Sequence, residues 1–220
     1  MEVTLQFDYQ AITGEQVSFK SAPIIADQAL KIAADLIKTG RTQLINFEDE
    51  HGYSYNYKQL QKQIAVDKQR PQFVELYFDG GFNHETKESG LGIVIYYQQN
   101  DCHYRVRKNA CLEQLQSNNE AEYAALAFGI NELGHYQISH QSIKILGDSK
   151  VVINQLAGEW PCHDPKLNYW ADQIEASLAQ LNLKGQYKEL NRKENNEADR
   201  LAGQALKGEA IESRFKINNE

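Results

Sequence analysis

Eight residues, Val74-Glu75-Leu76-Tyr77-Phe78-Asp79-Gly80-Gly81, constrain this chain more than any other stretch. An apolar run closed by a carboxylate and two glycines reads as a buried strand. Burying an ionised Asp is costly unless a positive charge neutralises it, and the run holds no Lys or Arg. Taken alone, the octapeptide fits an Asp-Gly-Gly turn equally well, because Asp and Gly lead the turn residues. Three further carboxylates downstream, at comparable positions, favour the strand.

The chain has 220 residues, enough for one large domain or an ordinary domain with a small companion, and its 41% apolar content is ample for a core. No segment has the length of a membrane span, and the N-terminus lacks the pattern of a signal peptide. Three cysteines, Cys102, Cys111 and Cys162, form no Cys-x-x-Cys and suggest free thiols in a reducing cytosol, so a cytoplasmic location is expected. Cys162-His163 is too little for a zinc site. The net charge of −7 argues against bulk coating of nucleic acid. From Pro71 onward 15 basic residues face 21 acidic ones, a net of −6. Two divalent ions in an acidic site would bring that to about −2.

Residues 1–66 read as a small α+β domain. Val3–Phe7 and Gln16–Phe19 alternate as half-buried strands around a turn at Thr13-Gly14. Ser21 is a candidate cap for a helix from Ile24 to Thr39 with Pro23 in its first turn, and Gly40 ends it. A second hairpin brackets Asp49-Glu50-His51-Gly52, and a short helix follows near Tyr57–Val66. Tyr53, Tyr55 and Tyr57 could stack bases, but ordinary strand residues covering a helix are the better reading. Residues 67–72, polar and holding Pro71, read as a linker. Residues 73–208 then follow the order strand, strand, strand, helix, strand, helix, helix, strand, helix. That order implies an α/β fold whose mixed sheet is flanked by helices. Residues 209–220 show no clear pattern and read as a tail.

Asp148 follows the strand-like Ile143–Leu146 as Asp79 follows its own run. Parallel neighbours would bring both acids to one sheet edge, where α/β folds place their sites. In Ser117–Tyr123, steps of three and four from Glu122 meet Ala125, Leu126, Gly129 and Leu133, an apolar stripe. Glu120 has a more mixed stripe, so Glu122 is the inward acid and Glu120 is expected to be solvated at the helix start. Asp199 lies in the opening turn of a helix capped by Asn195 or Asn196 and shares its stripe with Ala202, Gly203 and Leu206. Glu197, the competing acid, reads as wetter. Four inward acids tolerate one another when cations lie between them, and an all-oxygen set selects Mg²⁺ or Mn²⁺. Two such ions suit in-line attack of water on a phosphodiester.

With these segments in view, the chain resembles ribonuclease H type 1. The likeness rests on Tyr77-Phe78-Asp79-Gly80-Gly81, Ser117-Asn118-Asn119-Glu120-Ala121-Glu122-Tyr123, Gly147-Asp148-Ser149 and the run from Arg192 to Ala202. Jointly, in this order and spacing, the motifs are specific. The resemblance implies a five-stranded mixed sheet in the order 3-2-1-4-5 and hydrolysis of the RNA strand of RNA/DNA hybrids by two-metal catalysis. It implies Asp79, Glu122, Asp148 and Asp199 as catalytic metal ligands, with Glu122 also sensing the RNA 2′-hydroxyl. It places Asn118 and Asn119 at the minor groove of the hybrid and Ser117 at a DNA phosphate, and it adds Gly80, Gly81, Lys150, Arg192 and Asn195 to the nucleic-acid contacts.

The chain departs from the family in several places. Glu189–Glu194 contains no His, which many members carry before the last acid; Arg192 stands where the archaeal-like branch has Arg. Lys150 replaces a frequent Gln, and no basic extra helix is present. The N-terminal segment lacks the Trp and Lys pattern of the usual hybrid-binding module, so its partner is open; similar segments occur in ribonuclease-H-like proteins of Gram-positive bacteria. A DEDD-type exonuclease would need Asp-x-Glu where Asp79 is followed by Gly80-Gly81, and an integrase-like enzyme would need a late Glu in place of Asp199. A binding scaffold without nuclease activity is the remaining alternative, and the retention of all four acids counts against it.

Overall fold

A computed structural model describes residues 1–217, which divide into two compact units, Met1–Gln69 and Arg70–Glu220. In the first unit β1 (Glu2–Gln10), β2 (Gln16–Lys20), β3 (Ile24–Ile25), α1 (Ala26–Lys38), β4 (Thr42–Asp49), β5 (Ser54–Tyr55) and α2 (Tyr57–Gln69) follow in order. The sheet runs β2-β1-β4-β5 with β3 also on β1, all antiparallel. Val3, Leu5, Phe47 and Leu60 close with Ala29 and Ala33 of α1 into a small core. Ser21 does not cap α1: its hydroxyl accepts from the Leu5 N–H at 2.9 Å, and Ile24-Ile25 pair with β1 before the helix begins. Tyr55 and Tyr57 pack on the core while Tyr53 is exposed. Of residues 67–72, expected as a linker, 67–69 continue α2, where Gln63 donates to Asp67 one turn on, and Pro71 stops the helix; the two units part after Gln69, inside the expected stretch.

The second unit contains β6 (Gln72–Phe82), β7 (Glu88–Gln99), β8 (Cys102–Glu113), α3 (Asn118–His135), β9 (Gln141–Gly147), α4 (Lys150–Leu156), α5 (Pro165–Gln180), β10 (Leu183–Glu189), α6 (Asn196–Ala205) and β11 (Glu212–Ile217). Its sheet runs β10-β9-β6-β7-β8-β11. The first five strands reproduce the order 3-2-1-4-5, with β9 parallel to both β6 and β10. The sixth is a difference: the segment read as a tail pairs antiparallel with β8 from Glu212 opposite Lys108 to Ile217 opposite His103. Among the described residues no helix is long and apolar enough to cross a membrane, and the three cysteines are free.

One sheet face packs on α3 through Leu76, Phe78, Ile93, Leu126 and Ile130, all fully buried. The other packs on α6, and glycines set that distance. A Cβ at Gly92 would lie 2.2 Å from the Ala198 carbonyl oxygen, and one at Gly90 2.0 Å from that of Ala202. Neither contact can be relieved by turning a side chain. Gly92→Ala is therefore expected to push α6 off the sheet and cost about 1–3 kcal/mol or more, read as a lower melting temperature.

Candidate active site

Parallel pairing of β6 with β9 brings Asp79 and Asp148 out at the same sheet edge. Glu122 reaches them from the first turns of α3, which crosses β6 closely because residue 80 has no side chain: a Cβ there would stand 2.2 Å from the backbone of Ala121. The Gly80 N–H donates to Glu122 Oε2 at 3.2 Å. Asp79, Glu122 and Asp148 each offer a carboxylate oxygen, and these oxygens lie within 4.8 Å of one another. Asp79 and Glu122 are buried, and Asp148 is half-buried.

The cluster is electrostatically strained. Burial pushes the Asp79 carboxyl up to about 7, with the charges of Asp148 and Asp199 adding and Arg192 opposing. Burial likewise drives Glu122 up to about 9, helped by Asp79 and Asp148 and opposed by the Gly80 N–H and Arg192. Among the described residues Arg192 alone pairs with the cluster, its Nε 3.8 Å from Asp148 Oδ2 and its side chain 87% exposed. Such a set of hard oxygens fits a divalent ion.

Asp199 is exposed in the first turn of α6 and is not among the three clustered acids, although its charge is felt at Asp79. Its rival Glu197 is the more enclosed of the two. It accepts from the Tyr96 hydroxyl at 2.9 Å and lies 3.3 and 3.0 Å from Arg105 and Arg107. The expectation for Glu120 is also corrected. It is 9% exposed, accepting from the Gln116 N–H at 2.8 Å and from Trp170 Nε1 at 3.3 Å, so it ties the start of α3 to α5.

The expected nucleic-acid contacts separate into two groups. Ser117, Asn118 and Asn119 are exposed together at the start of α3, where Ser117 caps the helix and Asn118 accepts from the Phe82 N–H at 3.3 Å. Lys150 is exposed at the start of α4, 3.4 Å from Glu189, and Gly81 is half-buried. Gly80 and Asn195 do not offer themselves to a nucleic acid. Gly80 is buried under α3, and its N–H is committed to Glu122. Asn195 is 1% exposed, and its amide nitrogen donates to the Phe78 carbonyl and to Asp148 Oδ1, both at 2.9 Å. Asn195 is thus a positioning residue that ties Asp148 to the end of β6. Asn195→Ala is expected to cost about 1–3 kcal/mol for the orphaned carbonyl and to lower the melting temperature by several degrees.

Comparison with known proteins agrees with this geometry. The reverse transcriptase-like family matches residues 77–205. The uncharacterized protein YpeP of Bacillus subtilis (strain 168) is 43% identical over 206 residues, 94% of this chain and 91% of its own, so the similarity takes in most of the first unit as well. Among solved structures, the ribonuclease H1 of the halophilic archaeon Halobacterium salinarum NRC-1 is 25% identical with a TM-score of 0.53, covering 61% of this chain and 98% of that one. The N-terminal ribonuclease H domain of Rv2228c from Mycobacterium tuberculosis is 26% identical with a TM-score of 0.53, covering 62% of this chain and 94% of that one.

Proposed function

We infer that this chain, which belongs to the reverse transcriptase-like family, is a metal-dependent endoribonuclease that hydrolyses the RNA strand of RNA/DNA hybrids. One observation carries the reading: three acids from β6, α3 and the end of β9 converge within 4.8 Å, two of them buried and held above their ordinary pKa. Without a cation to receive, such a cluster only weakens the fold. The ribonuclease H1 likeness in the structural neighbours supports the same substrate class.

Asp79, Glu122 and Asp148 would hold two Mg²⁺ or Mn²⁺ ions, with Asp199 completing the set from α6. The chemistry such ions supply is a water made nucleophilic near neutral pH and a stabilised leaving oxygen. The chain's own groups set the geometry. Asn195 fixes the rotamer of Asp148, and the Gly80 N–H fixes that of Glu122. The exposed hydroxyl and amides of Ser117, Asn118 and Asn119 suit the sugar edges and a phosphate of a hybrid, told apart from other duplexes by groove shape and 2′-hydroxyl. Lys150 and Arg192 add positive charge beside the acids in a chain whose net charge is otherwise unfavourable to a polyanion.

Incubation with labelled RNA/DNA hybrid, double-stranded RNA and single-stranded RNA, each with Mg²⁺ or Mn²⁺, tests the assignment. Cleavage confined to the RNA strand of the hybrid is expected. Binding without cleavage under every condition would favour a scaffold instead. The partner of the first unit is not identified by this chemistry, but each unit has its own core. Deleting residues 1–69 is therefore expected to leave a folded, metal-dependent nuclease with weaker grip on the hybrid, measured as a raised KM with kcat retained.

A further inference from the structure

The half of the second unit's sheet that α6 leaves open carries groups the catalytic cluster does not use. In the register of β6, β7 and β8, Tyr77 lies opposite Val94 and Val94 opposite Arg107, while Glu75, Tyr96 and Arg105 form another such row. Opposed residues share a sheet face. Gly92 lies two places from Val94 and four from Tyr96 along β7 and shares their face, so these rows stand on the α6 face. The helix covers that face at Gly90 and Gly92, and its N-terminus ends beside the open rows.

Two cavities meet there at Glu197, which lines both. One, of about 270 Å³, is lined by Tyr77, Tyr96 and Asn195 together with the carboxylates of Glu75 and Glu194; the other, of about 380 Å³, by Arg105, Arg107 and Arg200. The amide nitrogen of Asn195 is committed to two acceptors, which fixes the orientation of the amide. Its Oδ1 is consequently left buried with no hydrogen-bond partner. In the second cavity three guanidiniums face one carboxylate. Arg200 makes no ion pair among the described residues. Nε of Arg105 is buried without a hydrogen bond, and Nε of Arg107, though 3.0 Å from Glu197, is misaligned for one. The cavity carries a surplus of positive charge in a chain of net −7. In the first cavity Glu75 is paired with Lys144 at 2.8 Å.

We propose that this face binds a mononucleotide, with its phosphate on Arg105, Arg107 and Arg200 and its base in the tyrosine cavity. Guanidinium forks match phosphate oxygens bidentately. The rings of Tyr77 and Tyr96 stand 5.6 Å apart at 77°, one presenting its face and the other its edge to an aromatic guest. Every nucleobase has an N–H on its pairing edge, and Glu194 and Glu197 line that cavity as acceptors. The inference does not depend on the nuclease reading, since the arginines and tyrosines lie outside the acidic cluster.

The test uses the full chain in EDTA, with AMP, UMP, inorganic phosphate and a short oligodeoxynucleotide as probes in saturation-transfer NMR and calorimetry. AMP and UMP are expected to bind with strong saturation of their base protons, and phosphate alone more weakly. Arg107→Gln and Arg200→Glu are each expected to weaken AMP about tenfold or more. Arg200 is exposed and unpaired, so its variant decides the matter should Arg107→Gln fail to fold. No binding at millimolar nucleotide, binding indifferent to both arginine changes, or binding of the phosphate or the oligonucleotide alone would overturn the proposal.

Discussion

Asp79→Asn is expected to abolish cleavage of an RNA/DNA hybrid while raising the melting temperature of the metal-free protein. The two effects have one cause. In the folded state Asp79 is 8% exposed, and burial together with Asp148 and Asp199 lifts its carboxyl from 3.8 to about 7. At pH 8 the ionised side chain therefore costs the fold free energy, each pKa unit being worth about 1.4 kcal/mol. An amide of the same shape removes the charge and keeps the volume, so the transition of the second unit in EDTA should rise by roughly 3–8 °C. The amide is also a far poorer ligand for a hard divalent ion, and losing one electrostatic anchor of a transition state costs at least about 10²–10³ in rate. Melting curves in EDTA and initial rates in Mn²⁺ read the two sides separately. A variant that lost stability and activity together would mark Asp79 as a packing residue and remove the ground for the metal centre.

The residues that made this site legible are those whose environment is set within a few positions. Asp79 and Asp148 each close an apolar run, and the period of a strand places the following acid at the sheet edge. Glu122 was separable from Glu120 by its helical stripe. The fate of Glu120 was not, because the groups that bury it include Trp170, fifty positions away. Glu197 shows the same limit: its apparent wetness in the helix is overridden by Tyr96, Arg105 and Arg107, about ninety to a hundred residues upstream. The Asn195-Asn196 pair carries the signal of a helix cap, yet Asn195 spends its amide across the sheet on Phe78 and Asp148. β11 was hidden for another reason. Glu-Ser-Arg-Phe-Lys-Ile has little apolar alternation because it is an edge strand, and only its register with β8 reveals it. What the sequence withholds is thus the identity of long-range partners, including the strand that pairs with β11 and so makes it an element.

The same charges predict how stability responds to pH and to metal. Asp79 and Glu122 have folded-state pKa values of about 7 and about 9, above their ordinary 3.8 and 4.5. Between those limits the native state holds more protons than the unfolded chain, so the slope of stability against pH is negative. In EDTA the stability of the second unit should be fully present below about pH 4, fall as pH rises, lose the Asp79 share by about 7 and continue downward to about 9 on account of Glu122. Divalent ions reverse this. They replace the protons, bind the native state alone and bind more tightly as the carboxyls ionise. At a hundredfold excess over Kd such binding stabilises by about 2.7 kcal/mol, a shift of roughly 5–10 °C for a unit of this size. Mn²⁺ should therefore raise the melting temperature more at pH 8.5 than at pH 5.5, and Glu122→Gln should flatten both the metal-free slope and the metal response. A metal-free midpoint that climbs between pH 5 and 8, or a Mn²⁺ shift that shrinks over that range, would mean the three acids are stabilised by something other than a cation they await.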